Sequence, residues 1–492
     1  MISFKNIPSN IRVPLYYAEL DASHANTASS NQRALIIGQL ISGGSGVVNV
    51  PVISAGVADA KTQYGAGSML AQMVDSYRQN DSFGEVWCLP LADDGAAVAA
   101  AGAFAFTHAA TANGVLSLYI AGVLVSMPVL TTQSISQLAT ALSTLINANT
   151  DLPVTSSPTA GSVALTAKNL GAAGNDIDIQ LNYNGTLGGE ATPVGLTYTI
   201  TAMASGATNP SLTTALANCA DAAFDFIVFP YTDTTSLDAI KAFLNDSVGR
   251  WSWDRQVYGH AFAAYRGTVG ARTTLGVARN DQHTSIMGFN SSPTPEWRWA
   301  AAVAGASAVS LRADPGRPLQ TLALNGVLAP PVALRDALTD RNTLLFDGIS
   351  TYDVAGDGTC SIENLITTYQ LNAFNQPDNS YLEVETLFLL MYILRRQKGL
   401  VTTKYSRVKL AADGTRFAPG TGIVTPNMIR ADLIADYQDM EFNGFVQNSP
   451  AFAAALIVEI DGSNPNRINV LYPPSLIDQL RIFAVLAQFR LS

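Results

Sequence analysis

The side chains that could carry catalysis are few and scattered. The chain has four histidines, His24, His108, His260 and His283, and none has an obvious nucleophile or orienting carboxylate beside it in sequence. Sequence distance alone excludes nothing, since a nucleophile, its base and an orienting group are brought together by the fold. The local motifs also fail. Gly43-Gly44-Ser45-Gly46 is followed by Val47, so no GxSxG elbow forms there. The run from Gly38 to Gly46 follows an apolar stretch, as a phosphate loop does, but lacks the Lys-Ser/Thr pair that holds phosphate and magnesium, and it reads as a flexible loop. Asp353-Val354-Ala355-Gly356-Asp357-Gly358 resembles a calcium loop only faintly. Ala355 occupies a ligand position and no Glu closes the loop, so a turn is expected. Cys88, Cys219 and Cys360 lie more than 100 residues apart, with no CxxC spacing, and read as small buried hydrophobes in a reducing compartment. The expectation is a chain with no catalytic residue, no metal site and no cofactor. Two aromatic-basic segments, Arg250-Trp251-Ser252-Trp253-Asp254-Arg255 and Glu296-Trp297-Arg298-Trp299, hold four of the five tryptophans. They fit either a subunit contact or core packing around a satisfied arginine.

Charge narrows the function classes. Charged residues are 13% of the chain, against about 25% in soluble domains, while hydrophobic residues reach 48%. Little charge keeps copies apart, so burial against other subunits is expected. A net charge of −10, with no basic cluster beyond Arg395-Arg396, argues against nucleic acid as a direct ligand. The first ten residues lack the apolar core of a signal peptide, which points to a chain made and kept in a cytoplasm. Residues 114–130 are uncharged and long enough to be a short membrane span. They read instead as two β-rich runs around Ala121-Gly122, a hairpin closed by Pro128.

The elements around these features fall into distinct blocks. Residues 95–150 contain no charge, and up to residue 205 there are only Asp151, Lys168, Asp176, Asp178 and Glu190. Within 95–205 the hairpin precedes a helix over 134–149, where Ile135, Leu138, Leu142, Leu145 and Ile146 recur at helical spacing; Thr131, Thr132 or Ser134 could cap it. Strands over 162–167 and 176–181 complete a β-rich inserted domain. On either side, strands 33–40, 84–89, 224–229, 256–263 and 284–289 alternate with helices 69–77, 236–245 and 268–278. That βαβ rhythm predicts an α/β core, a Rossmann-like, mostly parallel sheet covered by helices, built from residues 23–94 and 206–460. Helices over 296–311, 378–397 and 427–442 and a strand over 453–460 extend it. Both ends carry strands without an obvious home. Ile11, Val13, Leu15 and Tyr17 alternate near the start; 467–471 is a short strand, and Phe483, Val485, Ala487, Phe489 and Leu491 alternate at the end. Pro14 cannot donate to a ladder, so its strand is an edge or an exchanged arm.

Several segments carry a resemblance: Phe4-Lys5-Asn6-Ile7-Pro8-Ser9-Asn10-Ile11-Arg12-Val13-Pro14, Ile146-Asn147-Ala148-Asn149-Thr150-Asp151-Leu152-Pro153-Val154, Gly171-Ala172-Ala173-Gly174-Asn175-Asp176-Ile177, and Asn466-Arg467-Ile468-Asn469-Val470-Leu471-Tyr472-Pro473-Pro474. With the layout above, the chain resembles the tail sheath proteins of contractile phages, most closely those of Mu-like phages. The resemblance implies a virion tail component assembled in the host cytoplasm. It implies stacked hexameric rings of this protein around an inner tail tube protein, with baseplate and tail terminator proteins as further partners and no direct contact with nucleic acid or membrane. It implies contraction without ATP, from a metastable extended lattice. It further implies exchange arms at 1–22 and 461–492, adding strands to neighbours through Ile11, Val13, Leu15, Tyr17, Ile468, Val470, Phe483, Val485 and Phe489, with 21–32 and 461–466 as flexible links. By position the tube-facing helix is 427–442, offering Arg430, Asp432, Asp436, Asp439 and Glu441, unless that helix is an ordinary amphipathic surface helix. By its compositional isolation the insert is expected to sit on the outside of the tail. The competing reading is an α/β enzyme, a hydrolase or nucleotide-binding protein with a β-rich accessory domain, which predicts a deep pocket lined by perturbed titratable groups. A third is another virion structural protein, such as a decoration subunit.

Overall fold

The computed structural model describes residues 32–41 and 43–490. Ile11, Val13, Leu15 and Tyr17 lie outside the described residues. The chain has a mixed α/β fold with a mostly parallel six-stranded sheet and several antiparallel sheets. In spatial order the six strands are Thr284–Phe289, His260–Arg266, Phe226–Val228, Ala34–Gln39, Val86–Leu91 and Val52–Ile53. The first five are parallel and the last is antiparallel to its neighbour. Ala34–Gln39 and Thr284–Phe289 are buried at every position, as expected where helices cover both faces of a parallel sheet. Helices Met69–Arg78 and Glu296–Ala313 pack together closely, because Gly305 has no Cβ; one there would stand 2.7 Å from the Tyr77 carbonyl oxygen.

The expected βαβ alternation is present, with shifted boundaries that have local causes. The strand expected from residue 256 begins at His260, because Gln256, Tyr258 and Gly259 adopt positive φ and turn the Tyr258 carbonyl onto Arg250. The helix expected over 378–397 is Val384–Lys404. Asp378 instead binds the Ser380 amide and hydroxyl and the Tyr369 hydroxyl, holding the chain in a turn. The strand expected over 453–460 splits into helix Ser449–Ala455, started by Pro450 and carried by alanines, and strand Ile457–Ile460. The faint calcium-loop sequence is the turn between Thr351–Val354 and Cys360–Asn364.

Between the second and third parallel strands the chain builds two antiparallel sheets. One runs Thr197–Ala204, Ala101–His108, Ser162–Ala167, Val154–Thr159; the other runs Val123–Val129, Gly114–Ile120, Ile179–Leu181. The expected hairpin is in place, and Ala121 and Gly122 both take positive φ, the two-residue turn that matches strand twist. Helix Ile135–Ala148 packs on both sheets. Ser134, not Thr131 or Thr132, caps it: its hydroxyl accepts the Gln137 amide and Gln137 Oε1 accepts the Ser134 amide. The strand expected over 176–181 shortens to Ile179–Leu181, because residues Ala172–Asp176 form a 3₁₀ turn. The buried apolar side chains of this block are continuous with those of the six-stranded sheet.

Helix Val384–Lys404 joins two cores. Val384, Phe388 and Met391 sit in the main one, whereas Ile393 sits in a smaller cluster with Ile429, Leu433, Tyr437, Met440, Val446, Phe452 and Leu456. Tyr437 stacks on Phe452 at 3.7 Å. This second core underlies helix Pro426–Phe442 and an antiparallel hairpin of Ile457–Ile460 and Ile468–Leu471.

Candidate functional site

A doubly wound parallel sheet binds ligands where strand order reverses, here between the C-terminal ends of Ala34–Gln39 and Phe226–Val228. That crevice is filled by the chain itself. Gln39 Nε2 donates to Asp93 Oδ1 and to the Leu170 carbonyl, both at 2.6 Å, and Gln39 Oε1 accepts the Tyr231 hydroxyl at 2.9 Å. Asn169 covers the Leu40 carbonyl at 2.8 Å. The glycine run beyond is no phosphate cradle: the Gly44 amide donates to Ile41 O and the Gly46 amide to Gln63 O. Its glycines serve packing, since a Cβ on either would come within 2.7 Å of Gln63 or Tyr64.

The histidines are equally committed. His260 is fully buried, its Nε2 is 2.8 Å from Ser285 Oγ, and burial pushes it well below its usual range. His283 Nε2 meets Asp246 at 2.7 Å and its ring stacks on Trp251. His108 lies on the surface beside Thr197, and His24 is outside the described residues. The cysteines are buried free thiols, pushed up by that burial to about 12 for Cys88 and Cys360 and about 11 for Cys219. Among the described residues no group of three or more His, Cys, Asp or Glu could hold a metal ion, and no helix is long and apolar enough to cross a membrane. Arg250 donates to the carbonyls of Tyr258, Ala220 and Ala222. Trp251, Trp297 and Trp299 each donate an indole N–H inside the subunit. Of the two readings of these segments, core packing holds for these residues, and Trp253 alone of the four tryptophans is exposed.

The polar residues selected on helix Pro426–Phe442 also bond within their own subunit, although Asp439 stays 56% exposed. Arg430 binds the carbonyls of Leu456 and Ala453. Asp432 receives the Tyr405 hydroxyl at 2.5 Å and Lys404 at 3.1 Å. Asp436 and Asp439 share Arg396 at 2.7 and 2.5 Å, and Glu441 accepts the Ser449 amide at 2.8 Å. These contacts stitch the helix to Val384–Lys404 and to Ser449–Ala455. Besides Asn427 and Asp439, the exposed positions form a stripe of Met428, Ala431, Ala435, Gln438 and Phe442, the last 90% exposed. Its spacing of three and four residues was visible in the sequence, offset from the buried stripe of Ile429, Leu433, Tyr437 and Met440.

Of the terminal candidates, Ile468 and Val470 already pair within the chain, Ile468 with Ile460 and Val470 with Val458. The 467–471 strand therefore has a home after all. Residues 461–466 are the turn of this hairpin and not a flexible link. The Asp461 carboxylate accepts the amides of Ser463 and Asn464, the Ser463 hydroxyl and the Asn469 amide, which hold it well below the usual carboxylate range. Neither outer edge of the hairpin carries another strand among the described residues, and Ile457, Val470 and Leu471 are exposed. The chain then packs back over the body. Tyr472 sits against Phe452 and Tyr437, and Val446 bridges to Leu476. Residues 482–490 form no strand. Ile482, Phe483, Val485, Leu486 and Phe489 are 71–86% exposed, so the expected strand through Phe483, Val485 and Phe489 is absent in the isolated subunit.

Two protein-family models match the chain: phage tail sheath protein central domain over residues 205–368, and phage tail sheath C-terminal domain over residues 376–490. The Mu-like prophage FluMu tail sheath protein of Haemophilus influenzae is 39% identical over 490 residues, 99% of each chain. Among solved structures, a sheath tail protein of Desulfitobacterium hafniense is 12% identical with a TM-score of 0.49, over 95% of this chain and 97% of the other. The anti-feeding prophage helical sheath in its contracted state is 12% identical with a TM-score of 0.48, over 98% and 99%.

Proposed function

This chain belongs to the phage tail sheath family, and from that premise we propose that it polymerises by strand exchange into stacked hexameric rings around an inner tail tube and contracts to drive the tube through the host envelope. It is a structural subunit of a contractile tail sheath in the virion tail, and not an enzyme. The observation that carries the exchange reading is the coexistence, among the described residues of one subunit, of a two-stranded hairpin with no further strand on either edge and an exposed apolar tail over 482–490 that forms no strand. An unpaired edge is a template for a strand from another chain, bonded through main-chain groups. In this reading Ile468 and Val470 belong to the acceptor, while Phe483, Val485 and Phe489 belong to the donor. Ile11, Val13, Leu15 and Tyr17 form a second donor, chosen on their alternation alone.

The energetics favour a lattice over a tight pair. Burying the tail's five large apolar side chains is worth roughly 7–15 kcal/mol, at about 1.5–3 each. Ordering nine residues costs about 1–2 kcal/mol each, roughly 9–18 kcal/mol, which offsets all of it. Main-chain bonds at about 0.5–1.5 kcal/mol apiece tip the balance. Each exchange is then weak alone, and several neighbours per subunit hold the assembly by multivalency. The Rossmann-like core and C-terminal body move as rigid parts, residues 95–205 project outward, and the Met428–Ala431–Ala435–Gln438–Phe442 stripe meets the tube protein. Baseplate and terminator proteins cap the ends. Contraction follows from a lower free energy of the contracted lattice and needs no nucleotide. Removing residues 482–492, or residues 1–22, is expected to leave a folded subunit that forms no tubes by negative-stain microscopy; normal tubes from both truncations would refute strand exchange.

A further inference from the structure

The C-terminal segment does not leave the body where the hairpin ends. After Leu471 it runs back across both cores, and main-chain contacts track it: the Gln447 amide to Ser475 O at 2.9 Å, and the Ile477 amide to Phe445 O at 3.2 Å. Ile477 lies against Gly316, where a Cβ would stand 3.1 Å away, and Gln320 Nε2 reaches the Leu480 carbonyl at 3.5 Å. Arg481 ends this track. Its guanidinium meets Glu385 Oε1 at 2.8 Å, Glu383 Oε2 at 2.9 Å, Asn364 Oδ1 at 3.1 Å and Gln479 Oε1 at 2.6 Å, with its side chain 15% exposed. Glu385, in the first turn of helix Val384–Lys404, is fully buried and also accepts the Leu319 amide at 2.7 Å. One tail side chain thus gathers the head of that helix and the end of strand Cys360–Asn364, and through Glu385 the loop at Leu319. Immediately beyond it, exposure rises to 83% at Ile482 and 81% at Phe483.

We propose that Arg481 is the root of the C-terminal arm: clamped between two glutamates of the core, it sets the point and direction from which residues 482–490 reach a second copy of this chain. The proposal rests on the strand-exchange reading and adds a positioning residue to it. The physical reason lies in chain statistics. Unclamped, the arm would be free beyond its last main-chain bond to the body, that of the Ile477 amide to Phe445 O, and would search as a flexible chain of about thirteen residues, 478–490, whose effective concentration at a neighbour's edge falls as length grows. Clamped, nine residues remain, enough when extended to span about 30 Å. The fork of an arginine can hold two carboxylates and an amide together, which a lysine's single ammonium does less well.

The test uses the full chain. A nitroxide attached through Ala484→Cys, with the three native cysteines buried, reports arm motion in the unassembled subunit, and tube yield is read by sedimentation and microscopy. Arg481→Met is expected to sharpen the nitroxide spectrum and to lower tube yield at least tenfold while the subunit's Tm stays within a few degrees; Arg481→Lys restores part of both. If Arg481→Met does not fold, the pair Asn364→Ala with Glu383→Gln loosens the clamp from the core side and is expected to act in the same direction. Wild-type nitroxide spectra and wild-type tube yield from the folded clamp variants overturn the proposal. Should those variants form tubes normally while the 482–492 truncation forms none, the clamp is wrong and strand exchange stands. Should the truncation itself form tubes, strand exchange fails and the clamp's role in assembly fails with it.

Discussion

Phe489→Ser isolates the arm's apolar contribution from everything else in the subunit. Phe489 is 86% exposed, so nearly all the free energy of burying it is available to a neighbour and almost none is spent within the subunit. Full burial of such a side chain is worth up to about 3 kcal/mol, and the exposed share makes the expected loss per contact about 2–3 kcal/mol. At about 1.4 kcal/mol per tenfold, that is roughly 30- to 100-fold in the association constant. In a polymer the same factor appears in the critical concentration for tube formation, measured by pelleting a dilution series and plotting tube mass against total protein. The unfolding temperature of the unassembled subunit is expected to be unchanged, because a substitution at so exposed a position moves stability by no more than about 0.5 kcal/mol. Leu187→Ser is the control: Leu187 is also fully exposed but sits in the block proposed to face outward. A critical concentration unaltered by Phe489→Ser, or raised equally by Leu187→Ser, refutes the reasoning.

Two further predictions concern the body. Arg272 and Asp336 form a bidentate pair at 2.6 Å for both contacts, with side chains 0% and 9% exposed; Arg272→Met strands a buried carboxylate and is expected to cost about 3–5 kcal/mol in denaturant unfolding, whereas adding Asp336→Leu returns most of it. Glu383 is raised from its usual 4.5 to about 7 by burial, against the lowering effect of Arg481 and with reinforcement from Glu385. The folded state therefore holds this proton to higher pH than the unfolded chain does. The resulting stability is complete below pH 4.5 and is lost as pH rises through 7. The difference in unfolding free energy between wild type and Glu383→Gln is expected to fall by on the order of 3 kcal/mol across that window, and a flat difference would count against the assignment.

The parallel sheet was readable from the sequence because strands covered on both faces read as short, mostly apolar runs, as Ala34–Gln39 does and, with Thr284 and Ser285 at its start, Thr284–Phe289 does. The antiparallel block was readable for a different reason, its lack of charge, although its core proves continuous with the main one. Boundaries slipped where a side chain captured the backbone, as Asp378 does before helix Val384–Lys404, or where carbonyls were needed elsewhere, as at Tyr258. Such competition is settled by tertiary partners that periodicity does not reveal. The hairpin strand Ile468–Leu471 was correctly placed but was thought homeless, because its partner Ile457–Ile460 had been merged with the preceding helix Ser449–Ala455.

Helix Pro426–Phe442 carries the more general lesson. Arg430, Asp432, Asp436, Asp439 and Glu441 drew attention as a polar face for a partner, yet each is engaged within the subunit. The same holds for Arg266 with Asp176, Arg312 with Asp81 and Arg395 with Asp225. In a chain with so few charges, ion pairs at partly buried sites fasten elements to one another. Outside, alongside exposed charges such as Arg407, Lys409 and Arg416, lie apolar side chains: Met428 and Phe442 on the helix, Ile457 and Leu471 on the hairpin, Phe483 and Phe489 on the tail. Contacts of this kind suit a lattice that must rearrange. Apolar burial is non-directional, so surfaces can slide to a new register without leaving a charge unpaired, while on the proposed exchange main-chain strand bonds would keep each arm attached during the movement. Both are also little affected by salt, unlike exposed ion pairs. On the proposed exchange, the sparse charge of the sequence and the mechanics of the sheath would share one physical origin: a subunit fastened internally by partly buried ion pairs and joined to its neighbours by apolar surfaces and strand edges.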